Sequence, residues 1–276
     1  MTPFLTYQYS AGRFAKPVCR LGLATRGGGH LGVDDVLYAI DRGIQFLNWC
    51  GSPDALSRAV AGLGPRRPQV MVCVQFEART AADARTELRQ ILDELRTDYV
   101  DVLTFYYVEE QPEWEQIIGP GGALEACREA QRAGLVHYLG LTSHQRPLAA
   151  DAARTGLLDL LMIRYNAAHS GAEQDVFPVT DALSLPVVVY TCLRWGALLR
   201  GTPDDPPGFV VSGPAAWYRF ALQTPSVTVA LMAPENRQEL EEDLTVLEAK
   251  EPLPPEEYEM LAAHGRRVRR HAGRFP

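Results

Sequence analysis

Apolar and polar positions along this chain follow two different periods, and the two periods alternate in a regular order. Short apolar runs are typical of buried strands, whereas apolar residues spaced three and four apart indicate helices that bury one face. The stretch 98–107 shows the first pattern most clearly, because a turn leads into an apolar run that ends at two tyrosines. A run that is apolar on both faces predicts a strand of a parallel sheet covered on both sides.

The complete pattern predicts eight strands, each followed by a helix. We place the strands at 18–25, 44–49, 70–76, 98–107, 136–141, 158–165, 187–191 and 227–231. We place the helices at 33–42, 53–61, 81–95, 123–133, 147–156, 172–183, 215–223, 237–249 and 255–270. Strict alternation implies a parallel sheet, and eight such units in a chain of this length imply a closed (β/α)8 TIM barrel. Since no linker interrupts the pattern, we expect residues 1–276 to form a single domain.

Three local signals refine these elements. Ser52 and Pro53 predict the cap and first residue of the second helix. The segment 109–113, rich in glutamate and proline, predicts a loop, and Pro178 interrupts the helix predicted at 172–183. The glycine-rich turn at 27–29 lacks the spacing of a dinucleotide-binding fingerprint.

Charge and cysteine content limit the classes of partner. The net charge of −7 argues against a nucleic-acid or anionic-membrane surface, and the C-terminal arginines 266, 267, 269, 270 and 274 predict a solvated helix face. The five cysteines form no C-x-x-C pair, which favours a reducing compartment and disfavours a disulfide framework or zinc module. No apolar run reaches the roughly 20 residues of a membrane helix. We therefore expect a soluble cytoplasmic protein that binds a small molecule, with an oligomeric state that the sequence does not indicate.

A barrel of this kind builds its site from the C-terminal ends of its strands. His144 is the best single proton carrier there, although a hydrogen-bonded loop histidine is the favoured interpretation of this residue. Nothing in the sequence lowers the pKa of Cys50, and no histidine and carboxylate spacing predicts a metal site. The predicted strand ends supply a polar and aromatic mouth, suited to a flat or hydroxylated small molecule, formed by Thr25, Asn48, Gln75, Tyr106, Tyr107, Glu109, Thr142, Ser143, His144, Arg164, Tyr190 and Asn236.

Several motifs, taken in order, resemble those of the aldo-keto reductase family over nearly the whole chain. They lie at 21–25, 43–48, 98–101, 130–144, 165–166, 189–193 and 236–243. The resemblance implies the barrel fold and an NADPH-dependent carbonyl reductase that uses a tetrad of Asp, Tyr, Lys and His. In this chain Asn48 stands at the Asp position, Gln75 at the Lys position and Tyr106 at the His position. The segment 51–54, where the family holds its Tyr, contains no phenol.

The same resemblance assigns a cofactor side to the mouth. Thr142 and Ser143 stand where the family holds the nicotinamide carboxamide, and Tyr190 stands where the family stacks an aromatic ring on the nicotinamide. It also places Thr25, Asn236 and Asp243 on the cofactor side.

Two departures leave the identity of that cofactor open. Met162 replaces the expected carboxamide-binding Gln. Glu235 and Glu239 lie where the family uses Lys or Arg for the 2′-phosphate, and like charges repel. NADP, NAD and no nicotinamide at all are therefore alternatives.

Three functions are compatible with the sequence. The first is a divergent nicotinamide-dependent oxidoreductase that acts on a small carbonyl compound, with neutral donors at Asn48, Gln75 and Tyr106 polarising the carbonyl. The second is a nicotinamide-independent acid–base lyase or isomerase that uses His144, Tyr106 or Glu109. The third is a non-catalytic barrel that binds a ligand or partner, because the fold alone does not specify function.

Overall fold

The computed structural model describes residues 5–7, 14, 17–25 and 30–271. Its strands are β1 (Thr6–Tyr7), β2 (Val18–Cys19), β3 (Leu21–Ala24), β4 (Phe46–Trp49), β5 (Met71–Phe76), β6 (Val100–Phe105), β7 (Val136–Ser143), β8 (Leu160–Arg164), β9 (Val187–Tyr190) and β10 (Val227–Met232). Its helices are α1 (Val33–Asp41), α2 (Ala55–Ala61), α3 (Ala81–Leu95), α4 (Gln111–Ile118), α5 (Ala123–Arg132), α6 (Arg146–Arg154), α7 (Ala172–Asp175), α8 (Phe177–Ala182), α9 (Pro214–Gln223), α10 (Arg237–Leu244) and α11 (Pro255–His271). Short 3-10 turns cover Gly64–Gln69, Ala197–Leu199 and Thr245–Glu248.

Strands β3 to β10 form a closed parallel barrel in chain order, and β10 pairs with β3 to complete the ring. The prediction of a (β/α)8 barrel is confirmed. The continuous apolar stretch at 98–107 forms β6, whose six residues are all buried between β5 and β7. That residues 1–276 are a single domain stays a prediction, and the glycine-rich turn at 27–29 lies outside the described residues.

The first predicted strand, 18–25, is wrong as one element, because the chain divides at Arg20. Residues Val18–Cys19 pair antiparallel with Thr6–Tyr7, whereas Leu21–Ala24 belong to the barrel. The guanidinium of Arg20 donates to the carbonyls of Leu222 (2.7 Å) and Val227 (2.6 Å). These bonds tie the junction between hairpin and barrel to the end of α9 and the start of β10.

Some predicted helix boundaries are also wrong, for local reasons. Asp54, not Ser52, caps α2, because its carboxylate accepts from the backbone N–H of Ser57 at 2.9 Å. Residues 111–113 begin helix α4 instead of extending a loop, since proline is tolerated in the first helical turn. The helix expected at 172–183 is two short helices, α7 and α8, and the one expected at 237–249 ends at Leu244 before a 3-10 turn.

The barrel interior is filled by the side chains that point inward from alternate strand positions. One apolar layer shares this direction: Phe46, Met71, Cys73, Val102, Leu160, Met162, Val188, Val229 and Leu231, with Phe14 and Val18 from the N-terminal region. Gly140 allows a close approach within this layer, because a Cβ there would sit 2.9 Å from both Leu160 and Thr104. Two residues further along a strand the same inward direction recurs, which brings Asn48, Gln75 and Thr142 above the apolar layer.

A buried ion pair joins the turn before β5 to strand β6. The guanidinium of Arg67 lies 2.9 Å from the carboxylate of Asp101, and both side chains are less than a tenth exposed. Arg67 also donates to the carbonyl of Tyr99, and Asp101 accepts from the backbone N–H of Val72 at 2.9 Å. The pair therefore fixes β6 against β5 at one end.

The prediction that the C-terminal arginines form a solvated helix face is wrong for Arg267, and Arg274 lies outside the described residues. Arg267 is about one-eighth exposed and pairs with Asp205 at 2.5 Å, while the exposed Arg270 pairs with Asp204 at 2.8 Å. Both carboxylates lie in the loop after β9, so α11 holds that loop through ion pairs. In the described part of the chain, none of the helices is long and apolar enough to cross a membrane.

Breaking the Arg67–Asp101 pair is expected to destabilise the barrel. Arg67→Ala leaves the buried carboxylate of Asp101 without its arginine, which costs about 3 kcal/mol of the free energy of unfolding. Arg66→Ala is the matched control, since the neighbouring Arg66–Asp41 pair is exposed and contributes about 1 kcal/mol or less. Urea unfolding followed by circular dichroism measures both, and equal losses in the two variants would contradict the role of the buried pair.

Candidate functional site

A cavity of about 710 Å³ opens at the C-terminal ends of the barrel strands. Its lining contains polar and aromatic side chains from most strand ends, together with residues of the loop after β9 and of α10. The lining residues with polar or aromatic side chains are Thr25, Asn48, Cys50, Gln75, Tyr106, Tyr107, Thr142, His144, Tyr190, Thr191, Cys192, Trp195, Tyr218, Glu235, Glu239, Glu242 and Asp243.

The floor of the cavity carries buried polar atoms. Asn48 and Thr142 are 2% and 3% exposed, since both point inward above the apolar layer. The Oδ1 of Asn48 and the Oγ1 of Thr142 have no hydrogen-bond partner among the described residues. A buried polar atom without a partner is costly, so these two atoms favour a ligand that supplies one.

One corner of the floor is already occupied by internal hydrogen bonds. The hydroxyl of Thr25 donates to the carboxylate of Asp54, which also caps α2. The thiol of Cys50 donates to the carbonyl oxygen of Thr25 at 2.7 Å. Thr25 therefore lines the cavity with its hydroxyl proton committed to Asp54.

Four aromatic rings follow one another around the mouth. The ring centroids of Tyr106 and Tyr107 lie 5.7 Å apart, those of Tyr107 and His144 lie 4.9 Å apart, and those of His144 and Tyr190 lie 5.5 Å apart. The last two pairs are edge-to-face, which aromatic rings prefer. Tyr107 has a left-handed backbone (φ 54°) and is 45% exposed, so the turn after β6 holds its ring at the rim.

Burial keeps the phenols of the mouth protonated. Desolvation raises the pKa of Tyr106, and nearby Cys50 and Tyr107 raise it further. Desolvation also raises the pKa of Tyr190 far above its usual value, although Arg164 opposes the shift. The hydroxyl of Tyr190 donates to the carbonyl of Ser143 at 3.2 Å. Both phenols are therefore neutral at neutral pH.

His144 is held by one carboxylate. Its Nδ1 lies 3.2 Å from Oε1 of Glu109, which also accepts from its backbone N–H at 2.7 Å. Gln145 donates to the other oxygen of Glu109 at 3.1 Å. Burial lowers the pKa of His144 below its ordinary value, and Glu109 opposes that shift without reversing it. The histidine is thus a neutral, positioned ring.

The side of the cavity formed by α10, by Glu235 and by Tyr218 of α9 is acidic. We name it the acidic arm, and it consists of Glu235, Glu239, Glu242, Asp243 and Tyr218. Among the described lining residues there is no Lys or Arg. The N-terminus of α10 is capped by its own side chains, because Asn236 accepts from the N–H of Glu239 at 3.0 Å and Glu239 accepts from the N–H of Glu235 at 2.9 Å.

Asp243 is the most perturbed carboxyl of the acidic arm. It is 3% exposed, and the hydroxyl of Tyr218 donates to it at 3.1 Å. Burial raises the pKa of Asp243 to about 7. The hydrogen bond from Tyr218 lowers this pKa, whereas repulsion from Glu239 and Glu242 raises it further. Asp243 therefore keeps its proton to a much higher pH than an exposed aspartate does.

The sequence also matches a known protein family. A model of the Aldo/keto reductase family matches residues 32–211. The chain belongs to the aldo/keto reductase family. A comparison of this chain with the curated proteins found no match in sequence.

Solved structures of aldo-keto reductases share the fold. The holo form of one from Bacillus halodurans is 18% identical with a TM-score of 0.74, over 94% of this chain and 95% of that one. One from Klebsiella pneumoniae in complex with NADPH is 19% identical with a TM-score of 0.74, over 91% and 92%. A thermostable one in complex with the inhibitor epalrestat is 21% identical with a TM-score of 0.71, over 93% and 98%. Such low identities show a common fold and no more.

The family barrel brings most of the sequence-predicted site residues together. Eight of them line the cavity, and they are Thr25, Asn48, Gln75, Tyr106, Thr142, His144, Tyr190 and Asp243. Ser143 and Asn236 are outside the lining: the hydroxyl of Ser143 accepts from the N–H of Gln145 at 3.0 Å, and Asn236 caps α10. The roles assigned to all ten stay predictions.

Sequence reasoning missed Tyr218, Trp195 and Glu242 as lining residues. Tyr218 lies inside α9 and Glu242 inside α10, where a strand-end search does not look. Trp195 follows β9 in a turn where Thr191, Arg194, Trp195 and Gly196 all have positive φ. The sequence analysis did predict Tyr107 at the mouth, because this residue closely follows the end of β6.

The raised pKa of Asp243 predicts a pH-dependent stability difference. The folded-state pKa of about 7 lies above the ordinary 3.8, so the folded state binds the proton more tightly and loses stability as pH rises between those values. Asp243→Asn keeps an acceptor for Tyr218 and cannot ionise. Its melting temperature relative to the wild type should rise by several degrees from about pH 5 to about pH 8.

Thermal unfolding by circular dichroism across this pH range measures the difference. Glu241→Gln is the control, because Glu241 is an exposed residue on the same helix and not part of the lining. Its melting temperature should follow that of the wild type at every pH. If the difference in melting temperature between Asp243→Asn and the wild type is also the same at every pH, the raised pKa of Asp243 is ruled out.

Proposed function

We propose that this chain is an oxidoreductase of the aldo/keto reductase type that acts on a small carbonyl compound with NAD(H) in preference to NADP(H). In this proposal its catalytic site departs from the family's Asp, Tyr, Lys and His tetrad. The observation that carries the proposal is the convergence, in one cavity, of Asn48, Gln75 and Tyr106 from three of the tetrad positions with Thr142 and Tyr190 from the nicotinamide positions. Family membership supports the reaction class.

The inner part of the cavity fits a nicotinamide ring. Tyr190 presents an aromatic ring that is only partly buried, and the partnerless hydroxyl of Thr142 can bond a carboxamide. A neutral phenol and a neutral hydroxyl suit an uncharged amide, which has both donors and an acceptor. When bound, the cofactor would supply the hydride.

The acidic arm fits the ribose of NAD(H) and opposes the 2′-phosphate of NADP(H). A carboxylate accepts a hydrogen bond from a ribose hydroxyl but repels a phosphate. Glu235 and Glu239 lie in the lining with no Lys or Arg among the described lining residues. The self-capped N-terminus of α10 leaves fewer N–H groups for an anion.

Neutral donors surround the proposed carbonyl position. Asn48 and Gln75 carry amides, and Tyr106 carries a phenol whose raised pKa keeps its proton in place. Such groups stabilise a developing oxyanion by hydrogen bonding, with no ammonium to make the phenol more acidic. Proton transfer from Tyr106 is therefore weaker than from a phenol beside a lysine, and turnover is expected to be slow.

A non-catalytic ligand-binding barrel is the second candidate. The observation that favours it is that burial raises the pKa of Tyr106, while no lysine lines the described cavity to lower it. A protein of this kind would keep the cavity and bind its ligand without turnover. Nucleotide binding and turnover separate the two candidates.

Calorimetric titration with NADH and NADPH, each separately, tests the cofactor. NADH is expected to bind at least about tenfold more tightly, because Glu235 and Glu239 repel the 2′-phosphate. Glu239→Gln keeps the cap of α10 and removes one negative charge, so it should reduce the preference for NADH over NADPH. Glu241→Gln should leave that preference unchanged. If neither nucleotide binds at millimolar concentration, the oxidoreductase proposal fails and the binding barrel replaces it.

Tyr106→Phe tests the proton donor. Carbonyl reduction should fall by about a hundredfold or more, because the phenol hydroxyl is lost, while the affinity for NADH stays unchanged. Tyr107→Phe is the control, since its ring lies at the rim and should tolerate the change. Single-turnover oxidation of NADH with a panel of small aldehydes measures both. Full turnover by Tyr106→Phe would remove this residue from the chemistry.

A further inference from the structure

The charge of the cavity lining is one-sided. Four carboxylic side chains line it, Glu235, Glu239, Glu242 and Asp243, and the described part of the lining contains no Lys or Arg. Three of these carboxyls lie within five residues on α10. A cavity lined by one sign of charge concentrates ligands of the opposite sign.

Three of these carboxyls have only neutral hydrogen-bond partners. Glu239 accepts from the backbone N–H of Glu235, Glu242 accepts from the amide of Gln238 at 3.1 Å, and Asp243 accepts from the hydroxyl of Tyr218. The nearest arginine in sequence, Arg237, pairs with Asp35 at 3.0 Å and with Glu241. Within the described ranges, Glu239, Glu242 and Asp243 therefore form no ion pair.

Repulsion from the neighbouring carboxyls acts on Asp243. Glu239 and Glu242 both add to the burial that disfavours the charged form of Asp243. A cation placed in the arm would relieve both contributions, because it stabilises the carboxylate form. The protein thus holds three carboxyls in a geometry that a positively charged ligand would stabilise.

Aromatic and apolar side chains of the same cavity indicate that the cation is organic. Trp195 is 44% exposed, and it lines the cavity together with Tyr218, Leu199 and Pro214. Indole and phenol faces attract ammonium groups and pack against hydrocarbon. Among the described residues, no three His, Cys, Asp or Glu side chains are arranged to hold a metal ion. The acidic arm is therefore better suited to an ammonium group than to a metal ion.

The floor of the cavity adds an independent sign of a ligand. The Oδ1 of Asn48 is a buried acceptor without a donor among the described residues, in a side chain that is 2% exposed. A ligand with a hydroxyl or N–H group at its far end would supply that donor. The volume of about 710 Å³ accommodates a small molecule that reaches from the arm to the floor.

We propose that the acidic arm, with Trp195 beside it, binds the ammonium group of a small organic cation that also carries an aromatic or apolar body. Glu239, Glu242 and Asp243 supply the opposite charge, and Trp195 supplies an exposed aromatic face, while the buried Tyr218 holds Asp243 in place. This ligand goes beyond the proposed oxidoreductase function and does not depend on it. It would occupy the part of the cavity assigned above to the ribose of a dinucleotide, so the two ligands compete.

Three probes of one shape and different charge test the proposal. Tyramine carries an ammonium group, 4-hydroxyphenylethanol is its neutral counterpart, and 4-hydroxyphenylacetate is its anionic counterpart. Calorimetric titration of the nucleotide-free protein at low salt should show tyramine binding at least about tenfold more tightly than the alcohol, with the acetate weakest. Added salt should weaken tyramine alone. Equal affinities for tyramine and the alcohol would overturn the proposal.

Charge-removing variants locate the site. Glu242→Gln and Asp243→Asn keep a hydrogen-bond acceptor and should each weaken tyramine by about three- to tenfold, while leaving the alcohol unchanged. Glu241→Gln is the matched control, because Glu241 lies on α10 outside the cavity lining, and it should leave the affinity for both probes unchanged. Equal weakening in all three variants would point to a general charge effect and overturn the assignment.

A separate titration keeps the two proposals distinguishable. Tyramine is measured without nucleotide, so a failure of NADH to bind does not change the expected selectivity for the cation. Where NADH does bind, tyramine should raise its apparent dissociation constant, because the two share the acidic arm. Simultaneous, independent binding of both would overturn the position of the cation site and leave the cofactor proposal standing.

Discussion

The inward–outward alternation of eight parallel strands is the constraint on which this site depends. Closure of the barrel leaves each strand one inner face, so every second side chain enters a shared interior. Apolar residues such as Met71 and Val188 fill the lower layer. The next inward positions hold Asn48, Gln75 and Thr142, which a slip of one residue in register would turn toward the helices. The polar floor is therefore a direct consequence of strand register.

Burial dominates the electrostatics above that floor. It raises the pKa values of Tyr106 and Tyr190, lowers that of His144 and raises that of Asp243 to about 7. Each shift favours the neutral form of its group, as desolvation requires. The site is consequently rich in hydrogen-bond donors and acceptors and poor in strong acids and bases. Such a site favours the binding of a ligand over rapid proton transfer.

The candidate site was accessible from the sequence wherever a residue follows directly from a strand end. Tyr106 and His144 were found in this way, because parallel strands bring their C-terminal ends to one rim. The acidic arm was found only in part: Glu235 and Glu239 departed visibly from the family pattern, but Tyr218 belongs to α9. Nothing in the helical spacing of α9 indicates that this tyrosine reaches Asp243, since that contact joins residues 25 positions apart.

The sequence by itself determined the fold, since the order of strand and helix periods admits few topologies and the family motifs agree with it. Local signals were reliable only in part, because the cap of α2 is Asp54 and not the predicted Ser52. The tertiary structure decided the division of the chain at Arg20 and the pairing of Arg267 with Asp205. It also decided the shared position of the carboxyls, the indole and the phenol in one cavity. These features are contacts between distant segments, and their energies depend on distance and burial, which local sequence does not contain.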